Sequence, residues 1–120
     1  MGGPSAEREV SLNTGRACAA ALREKNTYEV VEVDAGPDLG AVLAGMKPDA
    51  VLNCLHGRWG EDGCVQGMFE WMGLPYSHSG VLASAMAMDK ERTKAIYRDA
   101  GLPVVDSMIC AKADVCAGHM

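Results

Sequence analysis

The stretch His56-Gly57-Arg58-Trp59-Gly60-Glu61-Asp62-Gly63-Cys64-Val65-Gln66-Gly67 decides the reading of this chain. The apolar run Ala50-Val51-Leu52-Asn53-Cys54-Leu55 precedes it and has the character of a buried strand. Val65, Met68, Phe69 and Met72 follow at helical spacing. A histidine, two carboxylates and the glycines 57, 60 and 63 therefore sit on a strand-to-helix turn. In open parallel α/β sheets, ligands bind in the crevice outside the carboxyl ends of the strands. The turn is in the right place for a site, and its residue types suit a polar substrate.

Strands and helices alternate on either side of this turn. Gly2-Gly3-Pro4 forms a turn, and Ser5 is the expected cap of a helix with Glu7 and Glu9 in its first turn. Tyr28–Val33 reads as a strand ended by Asp34-Ala35-Gly36-Pro37. Leu39, Val42, Leu43 and Met46 recur at i, i+3, i+4 and i+7 and predict a second helix. Pro75-Tyr76-Ser77 is a short strand candidate, and Ser79 the expected cap of a helix over Val81–Met88. A further helix starts at or near Asp89, runs to Ala100 and is closed by Gly101 and Pro103. Val104-Val105 and Met108-Ile109 predict one more extended segment. The alternation predicts an α/β fold with a mostly parallel, doubly wound sheet flanked by helices. A glycine turn feeding a helix usually follows a strand in such folds. Only Met1 precedes Gly2, so the first strand is expected to be missing.

At 120 residues the chain is one domain at most, yet long enough to bury roughly two-thirds of its unfolded surface. A net charge of −5 without a Lys/Arg run argues against nucleic acid as a partner. The apolar runs fall far short of the about 20 residues of a membrane span, and no signal-peptide pattern is present. Cys18, Cys54, Cys64, Cys110 and Cys116 are odd in number and lack C-x-x-C spacing. They read as small apolar residues in a reducing compartment, which predicts the cytoplasm.

The chemistry-bearing residues each allow two readings. Gly2-Gly3-Pro4-Ser5 matches neither a dinucleotide fingerprint nor a P-loop. Glu7 either complements the helix dipole or faces the crevice and accepts hydrogen bonds from a substrate ammonium. His56 is either a hydrogen-bonded loop histidine, a donor to a substrate carboxylate, or a group that orients Glu7. Glu61 and Asp62 read as turn-stabilising. Their spacing alone does not make them metal ligands, because a second ligand cluster is absent, so no metal site is expected. Lys90 and Lys94 belong to a solvated helix start or reach a phosphate as point charges. A crevice with a carboxylate, a histidine and a lysine suits a small zwitterion but names no reaction.

Several motifs together resemble one family. Gly2-Gly3-Pro4-Ser5-Ala6-Glu7-Arg8-Glu9-Val10-Ser11 looks like the start of D-alanine–D-alanine ligases, and His56–Gly67 looks like their N-terminal signature. Ser79–Ala85, Ala87-Met88-Asp89-Lys90 with Thr93-Lys94, and Ala100–Val104 resemble later motifs of the same N-terminal domain. The resemblance implies a Rossmann-like, pre-ATP-grasp fold. It also implies an enzyme that uses ATP to phosphorylate one D-alanine and lets the amine of a second attack the acyl phosphate, making D-alanyl-D-alanine for peptidoglycan. Magnesium, or manganese in its place, bridges the phosphates in such chemistry.

The implied roles fall on few residues here. Glu7 would hold the ammonium of the first D-alanine, and His56 would lie at its carboxylate. Val10 and Ser11 would stand near that pocket, and Lys90 would approach the ATP phosphates. Family members continue through a central and a C-terminal ATP-grasp domain that carry most of the nucleotide and metal contacts. Residues 1–109 are thus expected to be the substrate-binding domain, and 110–120 a frayed tail or the start of a linker. The chain by itself is expected to be inactive, and the full-length enzyme to be a homodimer. The competing expectations are a non-catalytic α/β module that binds a partner or small molecule, and a related ligase with a different second substrate.

Overall fold

The computed structural model describes residues 1–110. Of the predicted tail at 110–120, residues 111–120, which include Cys116, lie outside the described residues. Five helices follow one another: α1 (Arg8–Glu24), α2 (Leu39–Met46), α3 (Cys64–Trp71), α4 (Val81–Met88) and α5 (Lys90–Asp99).

The helices form where the 3.6-residue period predicts them. In α2 the apolar set Leu39, Val42, Leu43 and Met46 spans the whole element, and Lys47 ends it in the left-handed conformation at φ 50°. Asp89 caps α5 by accepting the Arg92 N–H at 3.1 Å. The other two expected caps are corrected. Glu7, not Ser5, is the N-cap residue of α1, and Gly80, not Ser79, is that of α4. Ser5 instead makes a tertiary contact, its Oγ donating to His56 O at 2.7 Å, whereas the Ser79 carbonyl accepts locally from Ser84 Oγ at 3.2 Å.

The expected sheet is present only in fragments among the described residues. Val51 and Tyr76 form one isolated parallel bridge, with Val51 N–H donating to Pro75 O at 2.8 Å and Ser77 N–H to Val51 O at 3.0 Å. Tyr28–Val33 forms no strand ladder. At its end the Met1 ammonium donates to Val33 O at 3.0 Å, and Ala35 N–H donates to Met1 O at 2.9 Å. That alternation around Asp34 is the hydrogen-bond pattern of parallel pairing. The expected last strand does not form either: Val105, Met108 and Ile109 are exposed. The difference between helices and strands is physical. A helix satisfies its N–H and C=O groups within one segment, whereas a strand needs a neighbour at its side.

Leu43, Val65 and Phe69 form the buried core, with Leu39, Val51, Leu55, Met68, Met72, Leu74 and Tyr76 packed around it. The Phe69 and Tyr76 rings meet at 5.5 Å and 46°. The core thus lies where α2 and α3 cover the Val51–Leu55 and Leu74–Tyr76 segments, which anchors the base of the His56 turn. α1 presents small buried residues, Ser11, Gly15 and Ala19. At Gly15 an added Cβ would stand 2.5 Å from the Met1 side chain, so only glycine lets Met1 and α1 approach.

Candidate functional site

Residues 56–63 fold back on themselves through carboxylate-to-backbone hydrogen bonds. Glu61 Oε2 accepts Gly57 N–H at 2.7 Å. Asp62 accepts Trp59 N–H at 2.9 Å and Cys64 N–H at 3.1 Å. These bonds outweigh the cost of partial burial and hold the Asp62 carboxyl below the usual carboxylate range. The carbonyl of Gly60 accepts both Asn53 Nδ2 at 2.9 Å and Gln66 Nε2 at 2.8 Å. The turn is therefore tied to the segment before it and to the helix after it. Gly60 itself packs against the chain: an added Cβ would lie 3.0 Å from the Leu55 carbonyl carbon and 3.2 Å from His56 N.

Ser5 joins this turn to the start of α1. Its Oγ accepts Glu7 N–H at 3.1 Å while donating to His56 O. As a result Glu7, His56 and Glu61 converge, with one polar atom of each within 4.8 Å of the others. His56 Nδ1 lies 3.4 Å from Glu61 Oε1, and His56 Nε2 lies 3.2 Å from Thr14 Oγ1. Glu7 is exposed and His56 half-buried, so the trio faces solvent from one side.

The imidazole opens on a cleft of about 300 Å³. Thr14, Asn53, Glu61, Gln66 and His78 are among the residues of its polar lining. Cys18 and Cys54 stand side by side in the wall, where burial first and then the neighbouring Cys18 thiol push the Cys54 thiol up. Lys90 lies elsewhere, in a second groove of about 300 Å³ with Thr93, Lys94, Tyr97, Val104 and Val105. Ala87 lines both cavities, so the lysines stand next to the cleft without entering it.

Of the residues expected from sequence, the fold brings Glu7 and His56 together. Val10 and Ser11 do not line the cleft. Val10 is exposed, and Ser11 is fully buried with its Oγ donating to Cys54 O at 2.6 Å. Glu61 acts as the expected turn stabiliser and also faces the imidazole. Sequence reasoning missed Thr14, Ser5 and His78. A signal for Thr14 exists: Glu7, Ser11, Thr14 and Cys18 recur at i, i+4, i+7 and i+11, a polar stripe on one face of α1. No local signal marks His78, which sits at φ 79° with Nδ1 2.6 Å from Ser77 Oγ.

Residues 39–79 match the family model of the D-ala D-ala ligase N-terminus. Over all 120 residues the chain is 74% identical to the D-alanine–D-alanine ligase of Ruegeria sp. (strain TM1040), covering 39% of that protein. It is 70% identical to that of Roseobacter denitrificans, covering 37% of it. The crystal structure of D-alanine–D-alanine ligase from Bacillus anthracis superposes with a TM-score of 0.79 at 37% identity, over 98% of this chain and 40% of that one. The same enzyme complexed with ATP gives 0.73 at 36% identity, over 96% of this chain and 42% of that one.

The matches define a ligase N-terminal region. The chain belongs to the D-alanine–D-alanine ligase family and spans about two-fifths of the length of the curated relatives it matches. No helix among the described residues is long and apolar enough to cross a membrane.

Proposed function

We propose that the chain supplies the first-substrate subsite of an ATP-dependent ligase that joins two D-alanines through an acyl phosphate. The observation that carries this reading is the convergence of Glu7 and His56, which are far apart in sequence, on one solvent-facing spot. A small zwitterion placed there meets both. The Glu7 carboxylate accepts from its ammonium, and the imidazole donates to its carboxylate, both as charge-assisted bonds. Ser5 and Thr14 act on orientation: one links Glu7 N–H to His56 O, and the other holds the far nitrogen of the ring.

Lys90, with Lys94 beside it, takes the ATP phosphates as point charges from the adjoining groove. Bound ATP supplies the phosphoryl group that activates the carboxylate. Magnesium takes oxygen ligands in octahedral geometry. The one grouping of three metal-capable side chains among the described residues includes an imidazole, so these residues offer magnesium no site of its own kind. In this reading Tyr28–Val33, Ala50–Leu55 and Pro75–Ser77 belong to a mostly parallel, Rossmann-like sheet. The pairings at Met1 and at Val51–Tyr76 support it. The full enzyme acts as a cytoplasmic homodimer.

The test is D-alanine binding to the 120-residue chain by ligand-observed NMR, with L-alanine as the comparison. Weak, D-selective binding that Glu7→Gln abolishes supports the subsite. Binding untouched by Glu7→Gln and His56→Gln refutes it. D-alanine-dependent phosphate release from ATP should be absent for this chain, because most carriers of the phosphoryl-transfer charge lie outside it.

A further inference from the structure

We propose that Cys18 and Cys54 form a peroxide-sensitive dithiol, which an oxidant of that class closes to a disulfide in the wall of the cleft. Spacing in the sequence does not predict it, since no two cysteines stand as C-x-x-C. The pairing comes from the fold. Cys18 belongs to α1, and Cys54 to the segment that leads into the His56 turn.

Geometry brings the two thiols together. Both line the same cleft, and their side chains are hydrogen-bonded to one another. α1 holds Cys54 at two points. Ser11 and Cys18 are seven residues apart, two turns along one face of the helix. Ser11 Oγ donates to the Cys54 carbonyl at 2.6 Å, and Cys18 meets the Cys54 thiol. Between them Thr14 Oγ1 reaches His56 Nε2 at 3.2 Å. The approach of α1 to this segment is therefore fixed by bonds that do not involve sulfur. A disulfide forms without backbone movement only between cysteines whose elements already stand close, and these two elements do.

The two thiols differ, and the difference sets the order of events. Cys18 is half-buried and Cys54 buried. Burial first, then the neighbouring Cys18, push the Cys54 thiol up, so it stays protonated and inert on its own. Cys18 therefore meets peroxide first. Its thiolate attacks the O–O bond and keeps one oxygen as a sulfenic acid. The other oxygen leaves as hydroxide, which the proton released by the Cys18 thiol turns to water. The Cys54 sulfur then attacks the Cys18 sulfur, and the S–OH bond breaks. That hydroxide takes the Cys54 proton and leaves as the second water. Two thiols and one hydrogen peroxide thus give one disulfide and two waters. Dithiol reductants reverse the step, as for other transient disulfides of reducing compartments. The bridge lies two residues before His56, so oxidation is registered beside the imidazole of the cleft.

The experiment removes the other thiols by Cys64→Ser, Cys110→Ser and Cys116→Ser. The reduced chain then meets stoichiometric hydrogen peroxide at low protein concentration. Neither amino acid nor nucleotide is present, so failure of the ligase reading leaves the result untouched. The expected product is monomeric, two hydrogens lighter, and carries one link between Cys18 and Cys54 in its peptide map. A dithiol reductant should restore both thiols. With Cys54→Ser added, a sulfenic acid should persist at Cys18, where dimedone traps it. With Cys18→Ser added instead, Cys54 should react at least about tenfold more slowly than Cys18 does. Circular dichroism checks the fold of each variant, and where one fails, the parent chain is mapped in its place. Sulfinic or sulfonic acid at Cys18 beside an unmodified Cys54, links between chains only, or no reaction would overturn the proposal.

Discussion

Thr14 Oγ1 lies 3.2 Å from His56 Nε2, so a residue on α1 fixes the ring of a histidine 42 positions further along the chain. The turn sets where His56 sits, and α1 sets which nitrogen faces the cleft. Thr14→Val keeps the shape and removes the hydroxyl. D-alanine affinity should fall about two- to tenfold, the equivalent of one net hydrogen bond of about 0.5–1.5 kcal/mol. Helix content should stay the same. An unchanged affinity would mean that the turn alone orients the ring.

Ser11 contributes to stability. Its hydroxyl is fully buried and donates to Cys54 O. Ser11→Ala leaves that carbonyl without this donor and should cost about 1–3 kcal/mol. Urea unfolding followed by tryptophan fluorescence would show a lower midpoint at unchanged slope. A midpoint equal to that of the parent chain would contradict the assignment.

Gly60→Ala should damage fold and site together. The new methyl would press on the Leu55 and His56 backbone, which cannot swing aside as a side chain can. Overpacking of this kind costs about 1–3 kcal/mol. The readout is a joint loss, a lower urea midpoint and weaker D-alanine binding. Loss of only one of the two would show that the turn relaxes without moving His56.

Arg8 and Asp34 make the acid limit of the fold. Hydrogen bonds from the Arg8 guanidinium hold the Asp34 carboxyl at about 2. The unfolded value is about 3.9, so the pair stabilises the folded chain fully above that value. Its contribution fades as pH falls from about 4 toward 2. Both side chains are about half exposed, so salt should weaken the effect. The stability difference between the parent chain and Asp34→Asn should shrink over that window. A difference that persists at about pH 2 would assign another role to Asp34.

What could be read from the sequence divides along a physical line. α2 and the Asp89 cap of α5 follow from periodicity and local capping, because their hydrogen bonds close within a few residues. Tyr28–Val33 has strand composition, yet its pairing depends on what lies beside it, and composition does not encode that. Glu7 and His56 were legible from residue type and motif. Ser5 reads as a local cap because its preference for helix starts hides a contact made 51 positions away. Glu61 was legible as a turn residue, but not as a neighbour of Glu7, since α1 brings that contact from outside the motif.

The doubly used carbonyl of Gly60 has one more implication. Asn53 and Gln66 clasp it from both sides, so the turn is closed like a buckle below its tip. Above the clasp, Trp59 holds a left-handed φ of 73° and stacks with Arg58 at 4.5 Å, in the open. The two side chains of the tip thus stand clear of the residues that meet a ligand, while the Trp59 backbone stays tied to Asp62 and Val65. A reporter group could be placed on the exposed side chain at position 58 without disturbing His56 or Glu61 beneath it.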